Sequence, residues 1–170
     1  KLSNAMTHTA YIAIGSNIGN PYQNCIEAIR NISKNNSIKV ISKSSFYKTS
    51  PIGDIEQEWF INSAIKINTS FSPENLLSNL LNIESEMGRV RKEKWGPRLI
   101  DLDLLFYDNL ILNQELITIP HPEIQKRKFV LIPLAEIACD LIHPTLKKTI
   151  STLLVESKDD SVVKKLASPI

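Results

Sequence analysis

Apolar residues recur along the chain with two different periods, and these periods predict its secondary structure. Where they alternate, or run together with β-branched and aromatic residues, we expect strands. Where they recur three or four positions apart, as Ile26, Ile29 and Ile32 do behind Pro21, we expect a helix. The pattern predicts strands over 11–14, 38–48, 60–70 and 99–107, and helices over 21–34 and 72–88.

The order of these elements is strand, helix, strand, strand, helix, strand, which is the split βαβ or ferredoxin-like arrangement. Ser72 and Pro73 supply a cap and a first-turn proline for the second helix, and Gly88 supplies its C-terminal stop. Beyond the last strand we expect a short hairpin and helices near 123–138 and 149–156. The sequence therefore predicts an α+β fold, a ferredoxin-like two-layer sandwich with additional C-terminal helices and a short hairpin.

Composition restricts the class of protein. The chain has 170 residues, of which 42% are hydrophobic and 22% charged, so we expect one folded domain rather than wholesale disorder. A formal charge of +2 is too even for a general nucleic-acid coat protein. No apolar run reaches the roughly 20 residues needed to span a bilayer. We therefore expect a protein that binds neither nucleic acid nor membrane. We also expect a monomer, although neither charge nor hydropathy determines the oligomeric state.

The first residues and the cysteines bear on processing and location. Residues 1–5 read as an expression-tag remnant ahead of Met6, so we assign residues 6–170 to a single domain. Cys25 and Cys139 are too few for a disulfide framework, and the sequence shows no signal-peptide pattern. We therefore expect reduced thiols and a cytoplasmic location.

The most informative chemistry is an acid pair in the last predicted strand. Asp101 and Asp103 are two positions apart, so alternation places both carboxylates on one face, roughly 6.5–7 Å apart along the strand. Two half-buried anions repel each other and lose hydration, and a divalent cation offsets that cost. Mg²⁺ suits such a site because it takes one or two carboxylates together with phosphate oxygens and water. The alternative is that each acid pairs with a basic neighbour or lies on a solvated face.

A basic segment leads directly into that strand. It places Trp95 among five cations within ten residues, namely Arg89, Arg91, Lys92, Lys94 and Arg98. A cationic loop next to an acid pair brings phosphate-binding and metal-binding groups together, as polyphosphate transfer requires. The alternative is a solvated charged loop, although such a loop would leave the large apolar surface of the tryptophan exposed to water.

Glu84 falls inside the apolar arc of the second predicted helix, whereas Glu86 falls outside it. A buried acid must find a cation, a metal-bound water or a hydrogen-bond donor. Pairing with an arginine from the next loop is as plausible from the sequence as a role in a catalytic centre.

Three further features have weaker signals. Phe60 and Asn62 share one face of the third predicted strand, where they could hold a flat heterocycle or simply pack in the core. His121 lies in a Pro-His-Pro turn and is either a ligand or a structural residue, and we assign His143 to structure. The glycine-containing turn at 15–19 lacks the Gly-Lys-Ser/Thr of a Walker loop, so we read it as a turn.

Together these motifs resemble the 6-hydroxymethyl-7,8-dihydropterin pyrophosphokinase family, over about 10–142. The most specific part runs through Gly88-Arg89-Val90-Arg91, Trp95-Gly96-Pro97-Arg98 and Asp101-Leu102-Asp103. Supporting motifs are Ser45-Phe46-Tyr47-Lys48-Thr49, Phe60-Ile61-Asn62, Pro120-His121-Pro122 and Arg127-Lys128-Phe129-Val130-Leu131.

The resemblance implies transfer of pyrophosphate from ATP to the hydroxymethyl oxygen of the pterin, with release of AMP. It implies that Asp101 and Asp103 hold two Mg²⁺ ions and that Arg89 and Arg98 neutralise charge on the transferred group. The pterin-binding residues it implies are Thr49, Ser50, Ile52, Phe60, Asn62, Trp95 and Phe129. The ATP-binding residues it implies are Glu84, Arg91, Lys92, Trp95, Arg98, Leu104, Ile117, Thr118, His121 and Arg127.

Two departures and two alternatives stay open. Ser50 stands where the family often has proline, and Lys94 stands where it often has arginine, and both differences bear on loop closure. RNA-binding modules share the predicted element order, but their aromatic strand motifs are absent and the acid pair would repel phosphates. A catalytically inactive, ATP-binding regulator with the same fold is the second alternative.

Overall fold

The computed structural model describes residues 5–6, 8–51, 57–88 and 99–167. Within them the strands are β1 (His8–Ser16), β2 (Ile38–Lys43), β3 (Tyr47–Thr49), β4 (Phe60–Thr69), β5 (Asp101–Tyr107), β6 (Leu112–Asn113), β7 (Thr118–Ile119) and β8 (Val163–Lys165). The helices are α1 (Pro21–Ser33), α2 (Pro73–Glu86), α3 (Lys128–Ala138) and α4 (Ile150–Glu156), with a 3₁₀ turn at Ile124–Lys126.

An antiparallel sheet organises the fold. Its strand order is β5-β1-β4-β3-β8, and β2 also pairs with β4. The strands β6 and β7 form a separate hairpin. The predicted combination of helices with a sheet, including the short hairpin after the acid strand, is therefore confirmed.

Helices cover both faces of the sheet. On one face, α1 and α2 pack over a core that includes Ile12 and Leu80. On the other face, α3 and α4 pack over a second core that includes Phe106 and Leu131. The C-terminal helices that the sequence adds to the sandwich thus form a second cover, and we call the sheet surface beneath them the α3 face.

Local signals explain where α1 and α2 begin and where α2 ends. The Asn20 side chain accepts a hydrogen bond from the Gln23 N–H (3.2 Å), and the Ser72 hydroxyl accepts one from the Asn75 N–H (3.2 Å). Each helix then starts with a proline, which is favourable in a first turn. Gly88 follows α2 with a φ of 86°, a conformation that glycine adopts without strain. Both predicted helices are confirmed within two residues.

The prediction of one continuous strand over 38–48 is wrong. β2 ends at Lys43 and β3 begins at Tyr47. Between them, the N–H and hydroxyl of Ser45 donate to the carboxylate of Glu136 on α3, the hydroxyl at 2.7 Å. This tertiary contact holds Ser45 outside the ladder, and no local pattern could reveal it.

The strand β8 was not among the predicted elements. It pairs antiparallel with β3, with Thr49 opposite Val163 and Tyr47 opposite Lys165. Its three residues, Val-Lys-Lys, are too few to show an alternating pattern. Three of the residues after α4 therefore belong to the main sheet.

Among the described residues, no helix has the length and apolar character needed to cross a membrane. The longest of these helices, α2, has 14 residues.

Candidate functional site

Asp101 and Asp103 lie at the start of β5 on the α3 face. In the ladder with β1 they stand opposite Gly15 and Ala13, and both are half-buried. Leu102, between them, packs into the core beneath α1 and α2. The alternation expected from the sequence therefore places both carboxylates on the same face of the sheet.

Glu84 supports this strand from α2. Its side chain is 4% exposed, and its Oε2 accepts a hydrogen bond from the backbone N–H of Leu102 at 2.9 Å. Leu102 separates the two acids, so Glu84 fixes the main chain between them. The sequence placed Glu84 on the buried stripe and Glu86 off it, and the observed burial agrees, since Glu86 is exposed.

His121 lies beside the acid pair. Its backbone N–H donates to the carbonyl of Leu105 (2.9 Å), and its Nδ1 accepts the N–H of Glu123 (3.2 Å). Nε2 therefore carries the hydrogen of the neutral ring. Burial lowers the pKa of His121, the Asp103 carboxylate opposes this shift, and the Arg127 guanidinium reinforces it. A neutral imidazole N–H next to an arginine is suited to donating to a phosphate oxygen.

Asn62 and Thr49 form a buried polar pair on the same face. They are 6% and 1% exposed, and Nδ2 of Asn62 donates to Oγ1 of Thr49 at 2.9 Å. In the ladder Asn62 stands opposite Gly15, where an added Cβ would lie 2.8 Å from Oδ1 of Asn62. Gly15 therefore leaves the room that the Asn62 amide occupies, and the amide is held in a defined orientation.

Two aromatic rings stand on elements that flank this pair. Phe60 begins β4 opposite Thr49 and is half-buried. Phe129 lies in the first turn of α3, which packs against β4. The Arg127 guanidinium carbon is 5.7 Å from the centroid of the Phe129 ring, within cation–π range. The first turn of α3 thus presents a ring and a cation together.

Four further predicted site residues lie within the described ranges: Leu104, Ile117 and Thr118, which are predicted to bind ATP, and Ser50, which is predicted to bind the pterin. Leu104 and Ile117 are buried in the core beneath α1 and α2, so their side chains are not brought to the acid pair. Thr118 is exposed on β7, next to the loop that carries His121. Ser50 follows β3 and exchanges hydrogen bonds with Val162.

Six predicted site residues lie outside the described residues, namely Ile52, Arg89, Arg91, Lys92, Trp95 and Arg98. Their roles stay predictions. Within the described part of the chain, no group of three or more His, Cys, Asp or Glu side chains is placed to hold a metal ion. That Asp101 and Asp103 hold a metal ion therefore stays a prediction.

Sequence reasoning missed several side chains that support the site. Asn17, after β1, donates through Nδ2 to Oε1 of Gln57 (2.8 Å) and to the carbonyl of Glu58 (3.0 Å), so the turn is tied to the residues just before β4. Asp159, after α4, accepts the backbone N–H of Lys128 at the start of α3 (2.9 Å). These contacts join residues far apart in the chain, and only the Asx-type turn residue Asn17 carried a local signal.

Comparison with known proteins agrees with the motifs and the geometry. The family model described as 7,8-dihydro-6-hydroxymethylpterin-pyrophosphokinase (HPPK) matches residues 11–139. The chain is 42% identical over 156 residues to a Haemophilus influenzae 2-amino-4-hydroxy-6-hydroxymethyldihydropteridine pyrophosphokinase, covering 92% of this chain and 97% of that relative. It is 44% identical over 147 residues to the Synechocystis protein of the same name, covering 86% and 75%.

Solved structures agree on the fold. A crystal structure of HPPK-DHPS in complex with substrates has a TM-score of 0.69 to this chain at 16% identity, covering 87% of this chain. The Plasmodium falciparum HPPK-DHPS structure with pteroate has a TM-score of 0.70 at 15% identity and covers 88% of this chain. The chain spans 43% and 42% of these two proteins, less than half of each.

Proposed function

Because this chain belongs to the 7,8-dihydro-6-hydroxymethylpterin-pyrophosphokinase family, we propose that the acid pair on β5 and the side chains around it form the active site. The reaction is transfer of pyrophosphate from ATP to the hydroxymethyl group of 6-hydroxymethyl-7,8-dihydropterin, a step in folate biosynthesis. The match to the Haemophilus relative covers 92% of this chain and 97% of that relative, so it includes every motif on which the proposal rests.

The observation that carries the proposal is the placement of Asp101 and Asp103 on one sheet face beside His121 and Arg127. Two half-buried carboxylates fit Mg²⁺, which completes its coordination with phosphate oxygens and water. When bound there, two Mg²⁺ ions would neutralise charge on the ATP phosphates. The Nε2–H of His121 would donate a hydrogen bond to the same phosphates. The guanidinium of Arg127 would add positive charge beside them.

The pterin would lie next to the Asn62 and Thr49 pair. A pterin is flat and carries hydrogen-bond donors and acceptors on its edge, so it needs ring faces above and below and a fixed amide beside it. Phe60 and Phe129 supply the rings, and Asn62 supplies the amide. Gly15 contributes because it has no side chain that would push the Asn62 amide out of this position. Ser50 and Ile52 would contact the pterin through the adjoining segment, as the sequence resemblance implies.

No side chain is required as a nucleophile. The attacking group is the hydroxyl of the pterin, so the chain has to align that oxygen with the transferred phosphorus and stabilise the charge that develops. Glu84 contributes by holding the main chain of Leu102 between the two acids. Arg89 and Arg98, which the sequence assigns to charge neutralisation, complete the proposed set, with Arg91, Lys92 and Trp95 around the nucleotide.

We also infer that the sheet is a variant of the ferredoxin-like arrangement. The order β5-β1-β4, with β2 and β3 together on the far side of β4, supports it. All of these pairs are antiparallel, as that arrangement requires. The monomeric state, the cytoplasmic location and the assignment of residues 6–170 to one domain stay predictions from the sequence.

The decisive experiment measures AMP formation by the purified chain with ATP and 6-hydroxymethyl-7,8-dihydropterin. AMP is expected only when Mg²⁺ and the pterin are both present. AMP production that ignores the pterin would indicate a different ATP-consuming reaction. ATP binding without AMP formation would favour the inactive regulator. A salt-sensitive retention of RNA in a filter assay, without AMP formation, would favour the RNA-binding alternative.

A further inference from the structure

The segment that follows α4 connects the two sides of the proposed pterin pocket. We call residues 159–165 the C-terminal strap. One end of the strap contacts the first turn of α3, which carries Phe129. The other end contacts Ser50 and pairs with β3, which carries Thr49. A single short stretch of chain therefore touches both walls.

At the α3 wall, Asp159 acts as a cap supplied from outside the helix. Its Oδ2 accepts the backbone N–H of Lys128 at 2.9 Å, and its Oδ1 accepts the N–H of Ser161 at 2.9 Å. The residue at the N-cap position, Arg127, makes no side-chain hydrogen bond to the first turn. Since the first N–H groups of a helix have no partner within it, the strap supplies one that the helix itself lacks. Lys128 stands directly between Arg127 and Phe129.

At the β3 wall, Ser50 and Val162 exchange two hydrogen bonds. The Ser50 N–H donates to the Val162 carbonyl (3.0 Å), and the Val162 N–H donates to the Ser50 hydroxyl (3.0 Å). The ladder then continues with Thr49 opposite Val163. Thr49 is the residue that accepts the amide hydrogen of Asn62, so this end of the strap is one residue away from the pterin-directed pair.

The Asp159 carboxylate is held in its ionised form. Burial opposes ionisation, but hydrogen bonds from Ser161 and from the Lys128 backbone, with the charge of Lys128, lower its pKa. An ionised carboxylate is also the favourable group near the positive end of a helix dipole. The neighbouring Asp160 is exposed, and it lines a surface groove together with Asp159, which makes it a matched comparison.

We propose that Asp159 is a positioning residue for the pterin, because it fixes the first turn of α3, and with it the Phe129 ring, relative to β3. This inference rests on the proposed function. A rigid ring that stacks on a flat ligand tolerates little displacement, whereas the long side chain of Arg127 can follow a small shift of its helix. Loss of the Asp159 contact should therefore weaken pterin binding more than nucleotide binding.

The test compares D159A, D159N and D160A in the full chain by calorimetric titration. Each variant is titrated with the pterin in the presence of Mg²⁺ and a non-hydrolysable ATP analogue, and with the analogue alone. D159A is expected to raise the pterin Kd about tenfold and the analogue Kd by less than about threefold. D159N keeps one accepting oxygen for the Lys128 N–H but loses the acceptor of the Ser161 N–H, so its pterin Kd should lie between those of D159A and the unaltered chain. D160A removes the same charge from the adjacent position and should leave both constants unchanged.

Three outcomes would overturn the inference. One is a pterin Kd for D159A equal to that of the unaltered chain. Another is an equal loss of pterin and nucleotide affinity, which would indicate a general loss of structure, and circular dichroism at the titration temperature measures that directly. The third is an equal effect of D160A, which would indicate net charge alone. If the unaltered chain itself fails to bind the pterin, the proposed function fails instead, so the two failures are distinguishable.

Discussion

The carboxylate of Glu84 accepts the backbone N–H of Leu102 at 2.9 Å, midway between the two acids of β5. A buried helix acid thereby sets the position of a strand whose own acids face the opposite side of the sheet. The contact links α2 to the proposed active site through the main chain rather than through a ligand.

Replacing Glu84 should therefore affect stability and turnover together. E84A removes the acceptor of a buried N–H, so the free energy of unfolding should fall by about 1–3 kcal/mol. The kcat should fall about tenfold, because small displacements of Asp101 and Asp103 misplace the reacting groups. Urea unfolding and AMP-release kinetics measure the two effects. E86A, on the exposed side of the same helix, is the matched control, and an E84A enzyme that behaves like E86A would contradict the prediction.

The acid pair should be required for turnover but not for folding. D101N and D103N are each expected to lower kcat at least about 100-fold, because a ligand for Mg²⁺ is lost. Stability should be unchanged or slightly raised, since each change removes repulsion between like charges. The measurements are AMP release across a Mg²⁺ titration and urea unfolding. D140N alters an exposed acid after α3 and should be fully active. Full activity of D101N or D103N would exclude that residue as a metal ligand.

Gly15 should be needed for pterin affinity because a side chain at this position would collide with the amide of Asn62. G15A places a Cβ 2.8 Å from Oδ1 of Asn62, so the amide must move away from Gly15 and leave the position in which it donates to Thr49. We expect the pterin Kd to rise about tenfold while the Kd for the ATP analogue stays unchanged. A double-mutant cycle isolates the cause. N62A and the double variant G15A/N62A should bind the pterin equally, and a further loss in the double variant would show that Gly15 acts by another route.

Stability should fall as the pH drops below about 6.5, where unfolded histidine titrates. Burial lowers the pKa of His121, against the Asp103 carboxylate and with the help of Arg127, and burial also lowers the pKa of His143. The unfolded chain therefore takes up protons first as the pH falls, and the free energy of unfolding decreases in that direction. Urea unfolding between about pH 8 and about pH 5 measures the slope. H121N cannot titrate and should have a shallower slope, and an unchanged slope would refute the assignment to His121.

The sequence predicts that Asp101 and Asp103 share one face of the sheet, because the alternation of side chains along a strand is a local property. The same holds for the capped starts of α1 and α2, where Asn20 and Ser72 act within a few residues. The break at Ser45 was not visible, because its cause is Glu136, 91 residues away. Local patterns thus predict elements well where the partners that decide them are near in the chain.

The supporting contacts of the candidate site also divide into those that local sequence predicts and those that depend on distant residues. Glu84 could be assigned to the buried face from helical spacing alone, but its partner, the N–H of Leu102, required the packing of α2 against β5. Asp159 gave no signal, since it lies among polar residues and its partner is a main-chain group of α3. The sequence indicates which chemistry is present, and the tertiary contacts determine how firmly each group is held.

The ladder between β1 and β5 shifts by one residue, since Tyr11 stands opposite Phe106 but Ile12 stands opposite Leu104. The residue passed over, Leu105, adds its side chain to the core of the α3 face, and its carbonyl accepts the His121 N–H at 2.9 Å. Deleting Leu105 would give β5 a perfectly regular alternation and would also remove the acceptor that holds the histidine turn. An irregularity in one strand therefore provides the carbonyl that anchors the histidine turn, and a fully regular β5 would lack that anchor.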